Sequence, residues 1–211
     1  MAITVFPSVS GASRLGGRAA VPIVLIAIAL GGCSINLGSL SAEPDSEAPK
    51  AAPAGAVVND AQTHTTRGQA LARSGKTDEA LAEFDKALDL DPNNAQALYG
   101  RGLLHQGEKQ HQLAIDDFTA ANGLTPQQAE PLLGRAISYL ALDKAKEAAA
   151  DLDEAVQADP QNAQIWMTRG LAYERVGDKT KAADSYGHAI ELRPKDEAAR
   201  SGLARVGGKA G

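Results

Sequence analysis

Four histidines, one cysteine and a glycine-rich stretch near the C-terminus are the residues of this 211-residue chain from which a reactive site could be built. The histidines, His64, His105, His111 and His188, fall at unrelated positions, and the single Cys33 provides no cysteine pair for zinc or for an internal disulfide. Gly202 to Lys209 has the outline of a phosphate-binding loop, but its register fails. Gly207 is followed by Gly208 rather than Lys, and Lys209 by Ala210 rather than Ser or Thr. Carboxylates are plentiful, yet they recur at repeating positions instead of converging on one point. The residues therefore read as a non-enzymatic protein with no cofactor and no metal.

The most regular polar feature is a series of arginines, Arg67, Arg101, Arg135 and Arg169, spaced 34 residues apart. Sixteen residues after each comes Glu83, Asp117, Asp151 or, in the last case, Ser185 beside Asp184. That spacing predicts a repeated ion pair between two successive helices. The alternative, an arginine ladder for an anionic ligand, would require those carboxylates to be absent. The net charge of −5 argues against nucleic acid as a partner. Beyond residue 32 the balance is 19 basic against 26 acidic residues, a net −7.

Positioning these residues requires a repeated scaffold. Asp91-Pro92, Thr125-Pro126, Asp159-Pro160 and Arg193-Pro194 recur every 34 residues. Other columns keep the period: Gly68, Gly102, Ala136 and Gly170; Ala80, Ala114, Ala148 and Ala182; Ala87, Ala121, Ala155 and Ala189. A further column is bulky, with Phe84, Phe118, Leu152 and Tyr186. Small residues seven apart on one helix face let a second helix approach, the bulky residue between them fills the space, and proline ends the helix. Thr77, Asp143 and Asp178 are the predicted N-caps of the second helices. Only 4% of the chain is aromatic, which disfavours a β-sandwich or barrel.

This pattern resembles the tetratricopeptide repeat. The resemblance covers residues 61–94, 95–128, 129–162 and 163–196, with 197–211 as a capping helix and frayed tail. It implies an all-α, right-handed solenoid of four helix pairs. In that family the first helices line the concave surface. Carried over by column, that surface presents Gln62, Thr65, Gln69, Gln96, Gln164, Glu130 and Glu174 around an apolar stripe of Tyr99, Leu103, Leu133, Ile137, Met167 and Leu171. The protein-binding groove is accordingly assigned to Tyr99, Leu103, Leu133, Ile137, Met167, Leu171, Gln69, Glu130 and Glu174. Tyr99 stands outside the packing columns and is the leading contact residue. The alternative is that neighbouring units simply bury the stripe. The Lys, Arg and Asn residues with which some members grip a terminal carboxylate are absent from the matching positions, Thr65, Gln69, Gly100, Glu130 and Gly134. A hydrophobic or helical segment suits the stripe better.

Residues 1–32 carry only Arg14 and Arg18 as charges, followed by an apolar run from Ala19 to Leu30. As a helix this run would rise about 18 Å, short of a bilayer core of about 30 Å, so it reads as a secretory signal. Leu30-Gly31-Gly32-Cys33 resembles a bacterial lipobox. The resemblance implies cleavage before Cys33, its lipidation with acyl chains such as palmitate, and a membrane anchor. Ser34 rather than Asp then implies the outer membrane, facing the periplasm. Residues 33–60, with Pro44, Pro49 and Pro53 and few large apolar groups, read as the lipidated Cys and a disordered tether. The whole looks like an envelope lipoprotein acting as a protein-interaction scaffold or assembly factor. Two alternatives are a self-associating structural protein, hence a homo-oligomer, and an accessory factor of pilus or secretion assembly.

Overall fold

A computed structural model describes residues 54–207. The leader, Cys33 and the tether up to residue 53 lie outside the described residues, as do residues 208–211. Among the described residues there are nine helices and no strands. They are α1 Ala54–Arg73, α2 Thr77–Leu90, α3 Ala95–Gly107, α4 His111–Leu124, α5 Ala129–Ala141, α6 Ala145–Ala158, α7 Ala163–Val176, α8 Lys179–Leu192 and α9 Glu197–Arg205. The helix α1 begins at Ala54, inside the segment read as tether. No described helix is long and apolar enough to cross a membrane.

Each helix packs on its successor, and the first helices also touch along a row, α1 to α3, α3 to α5, α5 to α7 and α7 to α9. The second helices make no such contacts with one another among the described residues. A stack whose first helices touch and whose second helices splay must curve toward the first helices, which gives the solenoid its inner face. The all-α solenoid and its capping helix α9 are as expected.

The alanine columns are the axis of the packing. Ala80, Ala114, Ala148 and Ala182, and Ala87, Ala121, Ala155 and Ala189, are all fully buried. Phe84, Phe118, Leu152 and Tyr186 lie buried between them, each worth about 1.5–3 kcal/mol of removed apolar surface. The second helices end because the residue before each proline is extended. Asp91, Thr125, Asp159 and Arg193 have φ of −140°, −135°, −138° and −134°. Asn94, Asn162 and Asp196 cap the following helices through their side chains.

Two of the three predicted N-caps are displaced. Asp178 accepts a hydrogen bond from the Lys181 backbone at 3.0 Å, as expected. Thr77 is already the first helical residue of α2, whose cap position is Lys76. Asp143 precedes the cap position Lys144 and holds the left-handed turn between α5 and α6, with φ 58°.

Candidate functional site

The inner face opens around Tyr99 on α3. Its ring packs on Phe118 of α4 with centroids 5.8 Å apart and planes tilted by 49°. The ring is therefore partly core, and it also lines two clefts. The first, about 390 Å³, is lined by Gln69, Ala95, Gln96, Tyr99, Thr125, Gln128, Glu130 and Pro131. The second, about 250 Å³, shares Gln69, Gln96 and Tyr99 with the first and adds Arg73, Leu103 and Leu104.

The folding of this corner follows from local sequence. Gly100 has no side chain because Phe84 of the preceding unit occupies that space; a Cβ there would fall 2.5 Å from Phe84 Cζ. Pro131 is buried in the first turn of α5, where a missing N–H is tolerated. Asn94 caps α3 and also donates from Nδ2 to Thr65 Oγ1 at 2.9 Å, tying α1 to the start of α3. Gln62 Nε2 donates to Gln96 Oε1 at 3.3 Å and continues that tie along the rim.

The electrostatics of the two clefts differ. Glu130 stands exposed at the first, with no salt bridge among the described residues, and Arg73 stands exposed at the second in the same state. Burial and the Glu130 charge push the Tyr99 phenol above its ordinary value. The phenol is thus a neutral hydrogen-bonding group at any physiological pH.

The other predicted groove residues are distributed as follows. Gln69 lines both clefts, and Leu103 is 42% exposed beside the second. Leu133, Met167 and Leu171 are half-buried against the C-terminal core, and Ile137 is half-buried as well. Thr65 is fully buried, so it presents nothing to the concave surface. Glu174 is committed internally. It accepts from Arg205 of α9 at 2.8 and 2.9 Å and from the Tyr186 hydroxyl at 2.6 Å. The Arg205 hydrogen bonds, and then Tyr186, hold its carboxyl below the usual range. Thr125, Gln128 and Arg73 belong to the site but were not anticipated. Thr125 and Gln128 sit on the turn that contains the Thr125-Pro126 step, which the repeat pattern marks only as a connector.

Histidines 64 and 105 are packing residues. His64 Nδ1 lies 2.7 Å from Glu83 Oε2, and His105 Nδ1 lies 2.7 Å from Gln110 Oε1. Among the described residues no group of three His, Cys, Asp or Glu side chains could hold a metal ion. What the fold offers is a curved row of helices with a wet, partly apolar concave surface, the architecture of a repeat scaffold for protein interaction.

Two family models match the chain, "TPR repeat" over residues 68–107 and "Tetratricopeptide repeat" over residues 133–206. MamA from Desulfovibrio magneticus RS-1 is 27% identical with a TM-score of 0.60, covering 66% of this chain and 78% of that one. YrrB, described as a TPR protein with an unusual peptide-binding site, is 21% identical with a TM-score of 0.65, covering 74% and 83%. The first TPR of Spaghetti (RPAP3), bound to the HSP90 peptide SRMEEVD, is 24% identical with a TM-score of 0.53, covering 55% and 92%. No curated protein matches the chain. The chain belongs to the tetratricopeptide repeat proteins, a family of interaction scaffolds.

Proposed function

We propose that the protein is a non-enzymatic lipoprotein of the bacterial envelope that holds a partner protein through the groove at Tyr99. The single observation that carries the binding role is the pair of clefts flanking Tyr99, where an aromatic ring, apolar Leu103 and the amides of Gln69 and Gln96 meet. Amide side chains can hydrogen-bond a peptide backbone while the ring and leucine take an apolar side chain. YrrB has a peptide-binding site, and the Spaghetti repeat is bound to a peptide, so a peptide segment is a ligand class this fold accommodates. Glu130, Gly100 and Gly134 stand where the carboxylate-gripping members carry their polar clamp, which disfavours a free C-terminal tail. The anchor rests on Cys33 at the end of its apolar leader. Lipidation there places the repeats at the membrane surface, with the outer membrane, periplasmic face, as the assignment.

Affinity capture from detergent-solubilised envelopes tests the groove. Leu103→Asp alters an exposed position, so it is expected to abolish capture of the partner while leaving the melting curve within error of wild type. Retention of the same partner by Leu103→Asp would overturn the groove assignment. Labelling with a fatty-acid analogue tests the anchor: label is expected on the wild type and absent from Cys33→Ser.

A further inference from the structure

The two clefts that share Tyr99 carry opposite charges. Glu130 is the charged group of the larger cleft, and Arg73 is that of the smaller. Neither forms a salt bridge among the described residues, whereas Glu83, Asp85 and Asp117 on the second helices are held by internal partners. The Tyr99 ring and the side chains of Gln69 and Gln96 are common walls of both clefts. A ligand lying across both clefts meets Glu130 in one, Arg73 in the other and the Tyr99 ring that lines both.

Resting on the groove reading above, we infer that the two clefts take an extended segment of a partner protein with a basic side chain beside Glu130 and an acidic side chain beside Arg73. Tyr99 sits between the two and contacts the apolar residue that separates them. Like charges placed in either cleft meet a repulsive partner, which gives the groove a direction as well as a composition. The groove is thus built for a charge-ordered internal segment.

A display library of random short peptides, with neither terminus free, is selected in parallel on the full chain and on its Leu103→Asp, Glu130→Gln and Arg73→Gln variants. On the wild type, enriched peptides are expected to share a Lys or Arg and an Asp or Glu in one order about an apolar residue. Glu130→Gln should remove the basic preference alone, and Arg73→Gln the acidic preference alone. For a synthetic peptide from the enriched set, Lys→Gln is expected to weaken binding to wild type about threefold and to leave binding to Glu130→Gln unchanged. Enrichment that depends on Leu103 but shows no charge order, or a charge order that survives both charge variants, overturns this inference and leaves the groove standing. No enrichment that depends on Leu103 overturns both. Matching melting curves for the charge variants separate lost recognition from lost folding.

Discussion

Arg101 on α3 donates from Nε and Nη2 to the two carboxylate oxygens of Asp117 on α4, at 3.0 and 2.7 Å. Its remaining nitrogen, Nη1, donates at 2.8 Å to Asp85 on α2 of the preceding unit. One guanidinium therefore closes its own helix pair and clips that pair to its neighbour. Arg135 does the same with Asp151 at 2.7 and 2.8 Å and with Thr119 at 3.1 Å. At Arg169 the polarity is exchanged. The acid, Asp153, lies in the preceding unit at 2.7 Å, and the hydroxyl, Ser185, lies in its own at 2.7 Å. The arginine column is thus a row of structural clips, and the carboxylates leave no ladder for an anionic ligand.

Removing one clip should be expensive, because the acid it holds is buried. Asp151 is 8% exposed. Arg135→Ala leaves that carboxylate without its bidentate partner and is expected to destabilise the fold by about 2–4 kcal/mol. Arg135→Ala with Asp151→Asn should recover part of the loss, because the stranded charge is gone. Chemical melts of the two variants check this; equal stability of the single variant and wild type would contradict the clip.

The partner sixteen residues after each arginine was legible in the sequence, since both lie within one repeat and the spacing of two antiparallel helices is regular. The partner sixteen residues before was not. It depends on how one unit is laid on the next, which the period alone does not specify. The Tyr99 contact with Phe118 lies within one unit but outside the repeated packing columns, so Tyr99 is partly a core residue and Tyr99→Ala would disturb packing as well as binding. Thr65 was placed on the concave surface by its column, yet it is fully buried and bonded by Asn94, the cap residue of α3. The alanine, proline and aromatic columns were fully legible because each encodes a contact repeated in every unit.

Among the described residues no helix pair precedes the first unit, and its arginine is correspondingly loose. Arg67 is 3.7 Å from Glu83 and largely exposed, while Lys86 and His64 each approach that carboxylate at 2.7 Å. The Lys86 hydrogen bond, followed by that of His64, lowers the Glu83 pKa from 4.5 to about 2. A carboxyl whose folded value is depressed stabilises the fold above its unfolded value and loses that contribution as pH falls toward the folded one. Glu83 should therefore contribute on the order of 2 kcal/mol above about pH 4.5, fading as pH falls toward 2. Stability measured at pH 5 and at pH 2.5 should fall less for Glu83→Gln than for wild type. An identical fall in both would remove Glu83 from the acid response.

The turn between the helices of each unit uses a left-handed residue at one recurring position. Gly75 and Gly177 fill it with φ of 74° and 91°, but Lys109 and Asp143 fill it with φ of 62° and 58°. Nothing in the sequence marked these two positions as left-handed, because neither is glycine. A lysine there carries a steric penalty of about 1–2 kcal/mol, partly offset by the entropy a glycine would lose on folding. Lys109→Gly is expected to stabilise the fold by about 0.5–1 kcal/mol, and Asp143→Gly by less, since Asp tolerates this region better. Thermal melts should show the larger rise for Lys109→Gly; a drop would mean that the lysine makes a compensating contact.

The bulky column and the small residues facing it vary together. Phe118 is flanked by Gly102 of its own unit and Gly134 of the next, Phe84 by Gly68 and Gly100, and Tyr186 by Gly170 and Gly202. In the third unit the bulky residue is the smaller Leu152, and the equivalent positions are Ala136 and Thr168. The aromatic units therefore need two glycines, and the leucine unit does not. A Cβ at Gly134 would fall 2.7 Å from Phe118 Cζ, within a ring that is fully buried and has nowhere to move. Helix propensity alone would favour Gly134→Ala by up to about 1 kcal/mol. Overpacking should exceed that gain and leave a net loss of about 1–2 kcal/mol. Phe118→Leu opens a void and is expected to destabilise on its own. Combined with Gly134→Ala it should approach the third unit's arrangement, a leucine facing a residue that carries a Cβ, so the double variant is expected to be more stable than the sum of the two single losses. A double-mutant cycle on urea melts measures that coupling. Strict additivity would mean that the two columns vary independently and that Gly134 is small for some reason other than the Phe118 ring.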